Sequence, residues 1–266
     1  MSAEVGPAAV VKSCCADLYA SDAVRLLVGE SFHPGGLALT RRLGDLLGLQ
    51  PEDEVLDIAS GPGTSAVELA LSRGCYVTGI ELSATSRARA EELAAAAGVQ
   101  DRVRFLAGDA ERLPVAAATF DVVICECAFC TFPDKSRAAA EIYRVVRPGG
   151  RIGLSDLTRR GPLPEDLRGL LAWIACVADA GTEQEYMGYL RSAGLIPGAT
   201  EDESGALLQL AEQIHTRLIT LSVASQLGRL ALPEVSWADV HAMAASAMAE
   251  IRSGNLGYSL LLATKP

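Results

Sequence analysis

Three acidic side chains follow three successive apolar runs of the sequence. Asp57 lies near the end of the first run, Glu81 closes the second, and Asp109 follows the third. If these runs are parallel strands of one sheet, their carboxyl ends meet at one edge, and the three acids converge on one crevice. An acid after the second strand of such a sheet accepts hydrogen bonds from ribose hydroxyls, although Glu81 alone is also compatible with a solvated strand end. The spacing of the three acids favours a nucleotide site.

A glycine-rich turn, IASGPGTSA, follows the first acid. Gly61 and Gly63 permit a tight turn and let a ligand approach the backbone. A helix is expected to begin at once, with Ser65 and Glu68 spaced as a capping box, and its N-terminus can hold an anion. The same letters also fit the dinucleotide fingerprint, so the turn alone does not identify the nucleotide.

Seven cysteines form the second group of residues with chemical potential, and three of them follow the fourth apolar run within six positions. The seven are Cys14, Cys15, Cys75, Cys125, Cys127, Cys130 and Cys176. An odd count without a secretory signal favours free thiols over a disulfide framework. Small buried hydrophobes, a structural zinc site completed by Cys176 or the Cys14-Cys15 pair, and a thiol-bound metalloid substrate all fit this pattern.

The elements that must position these residues alternate between strand and helix from Pro51 onward. Strands are predicted at 54–59, 75–80, 103–106, 120–125 and 151–154, with helices at 65–72, 84–97 and 135–146 between them. This alternation predicts an α/β fold with a mostly parallel, doubly wound sheet. Residues 160–195 are predicted to be helical, Ile196 to Ser204 a loop, and the following residues helical to about Ser253. The last run, GYSLLLATKP, is predicted to be a strand.

Four regions are expected from this pattern. They are an N-terminal helical lid (1–50), a Rossmann-like cofactor-binding core (51–160), a helical cap with the substrate region (161–253) and a closing strand of the core sheet (254–266).

The motifs VLDIASGPG, GIEL, GDAERLP, FDVVIC and RVVRPGGRIGLSD together resemble the class I S-adenosylmethionine-dependent methyltransferases. The resemblance covers about Glu52 to Asp156 and implies a seven-stranded, mostly parallel sheet with an antiparallel last strand. It implies S-adenosyl-L-methionine as cofactor. The second interpretation of these motifs is a nicotinamide dehydrogenase. Under this resemblance, the cofactor-binding residues would be Asp57, Ala59, Gly61, Gly63, Glu81, Leu82, Asp109, Ala110 and Cys125. The first glycines and Asp57 would hold the amino-acid end, Glu81 the ribose, and Asp109 with Ala110 the adenine.

The cysteines are similar in placement to those of the arsenite methyltransferases. That family has a cysteine just after the fourth strand, which Cys127 or Cys130 matches, and another after the fifth, which Cys176 matches. The pair Cys14-Cys15 also resembles an N-terminal pair of that family. The resemblance implies that these thiols bind arsenite or a related metalloid, whose lone pair takes the methyl group in line without a general base. The residues 200–253 contain no cysteine and are unlike that family's usual tail.

Two further functions stay open. The first is a small-molecule O-, N- or C-methyltransferase, in which the cysteines line an apolar pocket and His33 or an acid serves as base. The Pro-Gly-Gly sequence after His33 favours a turn or lid role for this histidine. The second is a non-catalytic module that senses a metal or the cofactor, and the retained acids Asp57, Glu81 and Asp109 argue for turnover instead.

Composition limits the partners. The chain has 266 residues, a formal net charge of −10, 50% hydrophobic and 21% charged residues. This composition is typical of a globular protein with a sizeable core. The acidity argues against nucleic acid and against anionic membranes, and no apolar run is long enough to cross a bilayer. A cytoplasmic location, a small-molecule or metalloid substrate and no resident metal are expected.

Overall fold

The computed structural model describes residues 33–168, 177, 179–226 and 236–266. Cys14, Cys15 and Cys176 lie outside these residues, so what the sequence predicts for these three thiols stays a prediction. The elements in chain order are α1 (Gly36–Leu46), β1 (Glu54–Ile58), α2 (Thr64–Arg73), β2 (Tyr76–Glu81), α3 (Ala84–Ala96), β3 (Val103–Ala107), β4 (Phe120–Glu126), α4 (Lys135–Val145), β5 (Val146–Arg159), α5 (Glu183–Ser192), β6 (Ile196–Asp202), α6 (Ser204–Gln226), α7 (Trp237–Ser253) and β7 (Leu256–Thr264). Short 3-10 turns occur at Phe129–Thr131 and Glu165–Arg168.

The strands form one seven-stranded sheet in the order β3-β2-β1-β4-β5-β7-β6. The pairs from β3 through β5 are parallel, and β7 is antiparallel to both of its neighbours. The mostly parallel sheet with an antiparallel last strand, predicted from the sequence, is confirmed. The order reverses between β1 and β4, and a ligand crevice is expected at the carboxyl ends of strands at such a switch point.

The central strands are buried on both faces, as parallel strands between helices must be. Val55 and Leu56 of β1 and Val122 and Val123 of β4 are fully buried. Continuous apolar runs at these positions therefore fix the middle of the sheet. Polar residues of these two strands lie near the strand ends, with Glu54 and Asp121 at the start and Asp57 and Glu126 at the crevice.

Helix α1 is tied to its neighbours by ion pairs on its outer side. Arg41 Nε donates to Glu68 of α2 at 2.6 Å, and Arg42 makes two hydrogen bonds to Glu201 of β6. Leu39 and Leu43 of the same helix are buried in the core. Helix α1 is thus held on both sides, and its buried residue Thr40 faces inward.

The segment Ile196–Asp202, which the sequence predicts to be a loop, is strand β6 of the sheet. The prediction was wrong because Pro197, Gly198 and a run of acids are typical of loops. This strand lies at the sheet edge, pairs with β7 and shifts register between Pro197 and Thr200, so a proline is tolerated there. The range 161–253 therefore contributes a strand to the core sheet, and its description as a cap stays a prediction.

The capping box expected from Ser65 and Glu68 does not form. The N-cap of α2 is Gly63, with φ of 80° and no side-chain cap. Glu68 instead accepts from Arg41, and Ser65 Oγ lies 3.3 Å from Thr40 Oγ1. Ser65 and Glu68, which the local spacing assigned to a cap, therefore both contact residues of α1 instead.

Among the described helices, we find none with the length and apolar character needed to cross a membrane.

Candidate active site

A pocket opens at the carboxyl ends of β1, β2 and β4, where the strand order reverses. It brings together most of the residues that the sequence singled out, namely Asp57, Ala59, Gly61, Glu81, Leu82, Asp109, Ala110 and Cys127. Gly63, Cys125 and Cys130 are not among its lining residues. The convergence of the three acids on one crevice is therefore present in the structure.

Glu81 is fixed by the backbone of two neighbouring loops. Gly61 N–H donates to its Oε2 at 2.9 Å, and Ser83 N–H donates to its Oε1 at 2.7 Å. Burial raises the pKa of Glu81, while these backbone hydrogen bonds lower it. The carboxylate is therefore preorganised at the second strand end, with the glycine turn folded onto it.

The two glycines of the turn have different surroundings. A Cβ at Gly61 would meet no atom within 4 Å, whereas a Cβ at Gly63 would lie 2.6 Å from Phe105 Cζ and 2.7 Å from Ala90 Cβ. Both have positive φ, 53° and 80°. Gly61 therefore faces open space suited to a ligand, and Gly63 serves the packing of the turn on β3 and α3.

Asp57 is a buried carboxylate without a full set of partners. Its Oδ2 receives no hydrogen bond from any residue that the structure describes. Burial raises the pKa of Asp57 well above its ordinary value, and the charges of Glu126 and Glu81 raise it further. A buried anion of this kind is stabilised by a cationic ligand that supplies the missing donor.

A second polar cluster at the pocket joins residues that are distant in sequence. His33 Nε2 lies 3.3 Å from Thr40 Oγ1, 3.5 Å from Ser65 Oγ and 3.8 Å from Glu126 Oε2. Thr40 Oγ1 donates to Glu126 Oε2 at 3.1 Å. The side chains of His33 and Glu126 are only 6% and 4% exposed. This His33–Glu126 cluster unites α1, α2 and β4 at the pocket wall.

The other ring nitrogen of His33 has a hydrogen-bond partner in the backbone. Nδ1 lies 3.1 Å from the carbonyl oxygen of Pro34. A carbonyl oxygen only accepts, so the tautomer that makes this contact a hydrogen bond has its proton on Nδ1 and its lone pair on Nε2. In this tautomer Nε2 is the basic nitrogen, on the side of the pocket and the carboxylate.

Sequence reasoning named His33 as a base in one alternative but did not identify Glu126, Thr40 or Ser65 as site residues. Glu126 carried a signal, because it ends β4 as Glu81 ends β2. No feature of the sequence indicated Thr40 or Ser65, since their role depends on how α1 packs on α2.

The cysteines after β4 separate into one pocket residue and two buried ones. Cys127 lines the pocket with φ of 52°, and its N–H donates to Ser155 O at 2.7 Å. Cys125 and Cys130 are fully buried, and burial raises the pKa of Cys125 well above its ordinary value. The backbone N–H of Cys130 donates to buried Asp156. Within the described ranges, no cluster of three or more His, Cys, Asp or Glu residues suited to a metal ion occurs.

Comparison with known proteins shows which family the chain matches. Residues 56–154 match the family described as "Methyltransferase domain". The chain is 32% identical over 268 residues to 27-O-demethylrifamycin SV methyltransferase of Amycolatopsis mediterranei, covering 92% of this chain and 94% of that protein. It is also 33% identical to the arsenite methyltransferase of Halobacterium salinarum over 161 residues, which are 59% of this chain and 41% of that protein.

Among solved structures, geranyl diphosphate C-methyltransferase from Streptomyces coelicolor A3(2) has the same fold. The TM-score is 0.76 at 18% identity, covering 98% of this chain and 100% of that chain. The sheet order, the pocket at its switch point and the similarity over nearly the whole chain define one class. The chain belongs to the class I S-adenosylmethionine-dependent methyltransferases, and S-adenosylmethionine is its cofactor.

The pocket fits this cofactor. S-adenosylmethionine carries an ammonium and a sulfonium group, and the pocket has the unsatisfied Oδ2 of Asp57 with the carboxylates of Glu81 and Glu126 nearby. Gly61 leaves open space beside these acids. Two positive charges in the ligand complement a buried anionic wall.

Proposed function

We propose that S-adenosylmethionine binds along the carboxyl ends of β1 and β2 and the loop after β3. In this arrangement Asp57 and the turn at Gly61 hold the amino-acid end, Glu81 the ribose hydroxyls, and Asp109 with Ala110 the adenine. The bound cofactor supplies a methyl group on a positively charged sulfur, which makes the methyl carbon electrophilic.

We further propose that the acceptor is a hydroxyl group of a small organic molecule. The observation that carries this proposal is His33, whose basic Nε2 belongs to a buried cluster with Glu126 at the pocket wall. A hydroxyl group must lose its proton as its oxygen is methylated, so this acceptor needs a base. A metalloid lone pair or a preformed anion does not.

His33 and Glu126 have separate roles in the proposed methyl transfer. The bound cofactor would supply its methyl group to the acceptor oxygen, and His33 Nε2 would accept the proton that the hydroxyl loses. The oxygen atoms around Nε2 lie at 3.3–3.8 Å, longer than most hydrogen bonds, and His33 itself lines the pocket that would receive the acceptor. The carboxylate of Glu126 offsets the charge on the imidazolium that forms.

The relative that matches nearly the whole chain supports this acceptor class. It is named as a 27-O-demethylrifamycin SV methyltransferase, a name that specifies an oxygen acceptor in an organic molecule.

The test is methyl transfer from labelled S-adenosylmethionine to a panel of hydroxyl-bearing small organic molecules that includes 27-O-demethylrifamycin SV, beside arsenite with glutathione. We expect methyl ether products from the panel. His33→Asn should lower kcat/KM by about 10²–10⁴-fold, because it removes the basic nitrogen. Binding of S-adenosylmethionine, measured by calorimetry, should persist in this variant.

The matched control is His215→Asn, which makes the same change on α6, outside the pocket lining. This control should retain wild-type kcat/KM. Two results would overturn the hydroxyl proposal. One is full methyl transfer by His33→Asn, and the other is methylation of arsenite without methylation of any hydroxyl-bearing compound in the panel.

A thiol-bound metalloid is the second candidate acceptor, and Cys127 is the observation that favours it. Cys127 brings a thiol to the pocket, although Cys125 and Cys130 are buried behind it. Further thiols for As(III) would have to come from Cys14, Cys15 or Cys176. On this proposal Cys127→Ser abolishes methylation of arsenite, while Cys75→Ser, a buried change inside the core, does not. Arsenite methylation unchanged by Cys127→Ser would contradict it.

A further inference from the structure

Thr40 Oγ1 lies beside both the proposed base and its carboxylate and is within hydrogen-bond distance of each. His33 Nε2 and Glu126 Oε2 are 3.8 Å apart, beyond the range of a direct hydrogen bond. Thr40 Oγ1 lies 3.3 Å from the first atom and 3.1 Å from the second. Thr40 itself is 1% exposed.

The proton inventory fixes the direction of these hydrogen bonds. A threonine hydroxyl has one proton and two lone pairs, and an ionised carboxylate only accepts. The Thr40 proton therefore goes to Glu126, and its lone pairs face Nε2 of His33 and Oγ of Ser65. A continuous bridge from Nε2–H through Oγ1–H to the carboxylate forms only when Nε2 carries a proton.

Resting on the proposed function, we propose that Thr40 is a positioning residue that strengthens His33 as a base. Its hydroxyl couples the imidazolium to Glu126 and thereby stabilises the protonated ring. The neutral ring that has its proton on Nδ1 gains nothing comparable, because its Nε2 has no proton to donate to Oγ1.

Other charged groups near His33 do not replace this bridge. Asp57 of β1 and Glu81 of β2 lie in the same pocket, and the proposed function assigns each of them to the cofactor. Cys127 follows Glu126 along the pocket wall. Glu68, on the same helix as Ser65, is paired with Arg41 at 2.6 Å. The bridge is therefore a feature of Thr40 and Glu126.

The position of Thr40 is set by α1 and its ion pairs. Arg41 and Arg42, the next two residues, bind Glu68 and Glu201 on either side of the helix. The position of the Thr40 hydroxyl is thus set by a helix that two ion pairs hold in place, and not by a loop.

The test is an imidazole titration by NMR on the full chain without any ligand, so it does not depend on the acceptor. The chain has three histidines, and His215→Asn and His241→Asn variants assign their resonances. In Thr40→Val we expect the midpoint of the His33 titration to move to lower pH by about one pH unit. Thr40→Ser should restore the wild-type midpoint, because it restores the hydroxyl.

Two further variants separate the bridge from a packing effect. Thr158→Val is the matched control, since Thr158 is buried and its hydroxyl bonds Ser259 at 3.1 Å away from His33; its His33 midpoint should equal that of the wild type. Glu126→Gln should lower the midpoint of the His33 titration. In the Glu126→Gln background, Thr40→Val should then lower this midpoint by less than it does in the wild type. Thr40→Ala gives the same readout if the valine variant does not fold.

An unchanged or raised midpoint in the variants without the hydroxyl would overturn the inference, as would a full additional shift in the Glu126→Gln background. Failure of the proposed function is distinguishable from this result. If His33→Asn methylates hydroxyl acceptors normally, the proposed function fails whatever the titration shows. If His33→Asn is inactive and the midpoint does not move, the role of Thr40 alone fails.

Discussion

Asp57 places an acidic group where the protein alone stabilises it poorly. The side chain is 2% exposed, and its Oδ2 has no hydrogen-bond donor among the described residues. Burial and neighbouring carboxylates raise the pKa of Asp57 above its ordinary value of 3.8. Its favourable contribution to stability is therefore complete below about pH 3.8, where folded and unfolded states are both protonated, and is lost as the pH rises through the raised pKa.

We predict that Asp57→Asn stabilises the cofactor-free protein and weakens S-adenosylmethionine binding. Removing the unsatisfied buried charge should raise the free energy of unfolding at neutral pH by roughly 1–3 kcal/mol. Loss of the charged contact should weaken cofactor binding by about 10–100-fold. Thermal unfolding across pH and calorimetric titration measure both effects, and the stability gain should shrink as the pH falls.

Asp121→Asn is the control for this prediction. Partial burial is the largest single effect on Asp121 and raises its pKa, but the hydrogen bonds from the backbone of Glu54 and from Arg147, together with the charges of Arg147 and Arg151, lower the pKa below its ordinary value. This variant should therefore lose stability at neutral pH. A melting temperature that falls in both variants would contradict our account of Asp57.

At this scale, the sequence predicted what lies at strand ends and missed what depends on packing. Asp57, Glu81 and Asp109 converge because parallel strands place their carboxyl ends together. The contact of Glu126 with His33 spans β4 and the chain before α1. Neither periodicity nor a motif reports the packing that brings them together.

The turn between β1 and α2 shows how two similar residues serve different purposes within one element. Gly61 borders open space, while Gly63 packs against β3 and α3. Both positions have left-handed backbone, which costs alanine roughly 1–2 kcal/mol. Only Gly63 adds a steric clash to this cost.

We predict opposite profiles for the two alanine variants. Gly63→Ala should lose about 2–4 kcal/mol of unfolding free energy, because overpacking adds to the backbone strain. Gly61→Ala should lose about 1–2 kcal/mol and fold, yet bind S-adenosylmethionine more weakly, because its methyl group occupies the ligand's space. Denaturant unfolding and cofactor titration distinguish them; equal stability of both variants would refute the packing role of Gly63.

Strong local patterns made six of the seven strands predictable, and β6 escaped for a physical reason. Its residues are mostly exposed, and its pairing partner β7 lies far along the chain. An edge strand of this kind is defined by its neighbour and not by its own hydrophobicity. The absent capping box at Ser65 has the same origin, since contacts from α1 replaced the local ones.

The whole molecule is strongly acidic, with a formal net charge of −10, and its pocket contains several carboxylates. Such a field attracts cations over a distance that depends on ionic strength, about 30 Å at 0.01 M and about 10 Å at 0.1 M salt. The cofactor has a net positive charge. The overall charge and the site therefore act in the same direction.

We predict that the association rate constant of S-adenosylmethionine falls several-fold as ionic strength rises through this range, with little change in the dissociation rate constant. S-adenosylhomocysteine, which lacks the sulfonium charge, is the control and should associate with much weaker salt dependence. Stopped-flow binding gives both constants. The same salt dependence for the two ligands would contradict electrostatic steering.

Strand β7 is the last element in chain order, yet it lies inside the sheet, between β5 and β6. During synthesis on the ribosome, β6 therefore emerges before the strand against which it pairs. The pairs from β3 to β5 can assemble while the chain is still growing, but the far side of the sheet must wait for residues 256–264. We expect the nascent protein to pass through a stage in which a five-stranded parallel sheet exposes β5 as a second edge besides β3, available to chaperones or to other nascent chains.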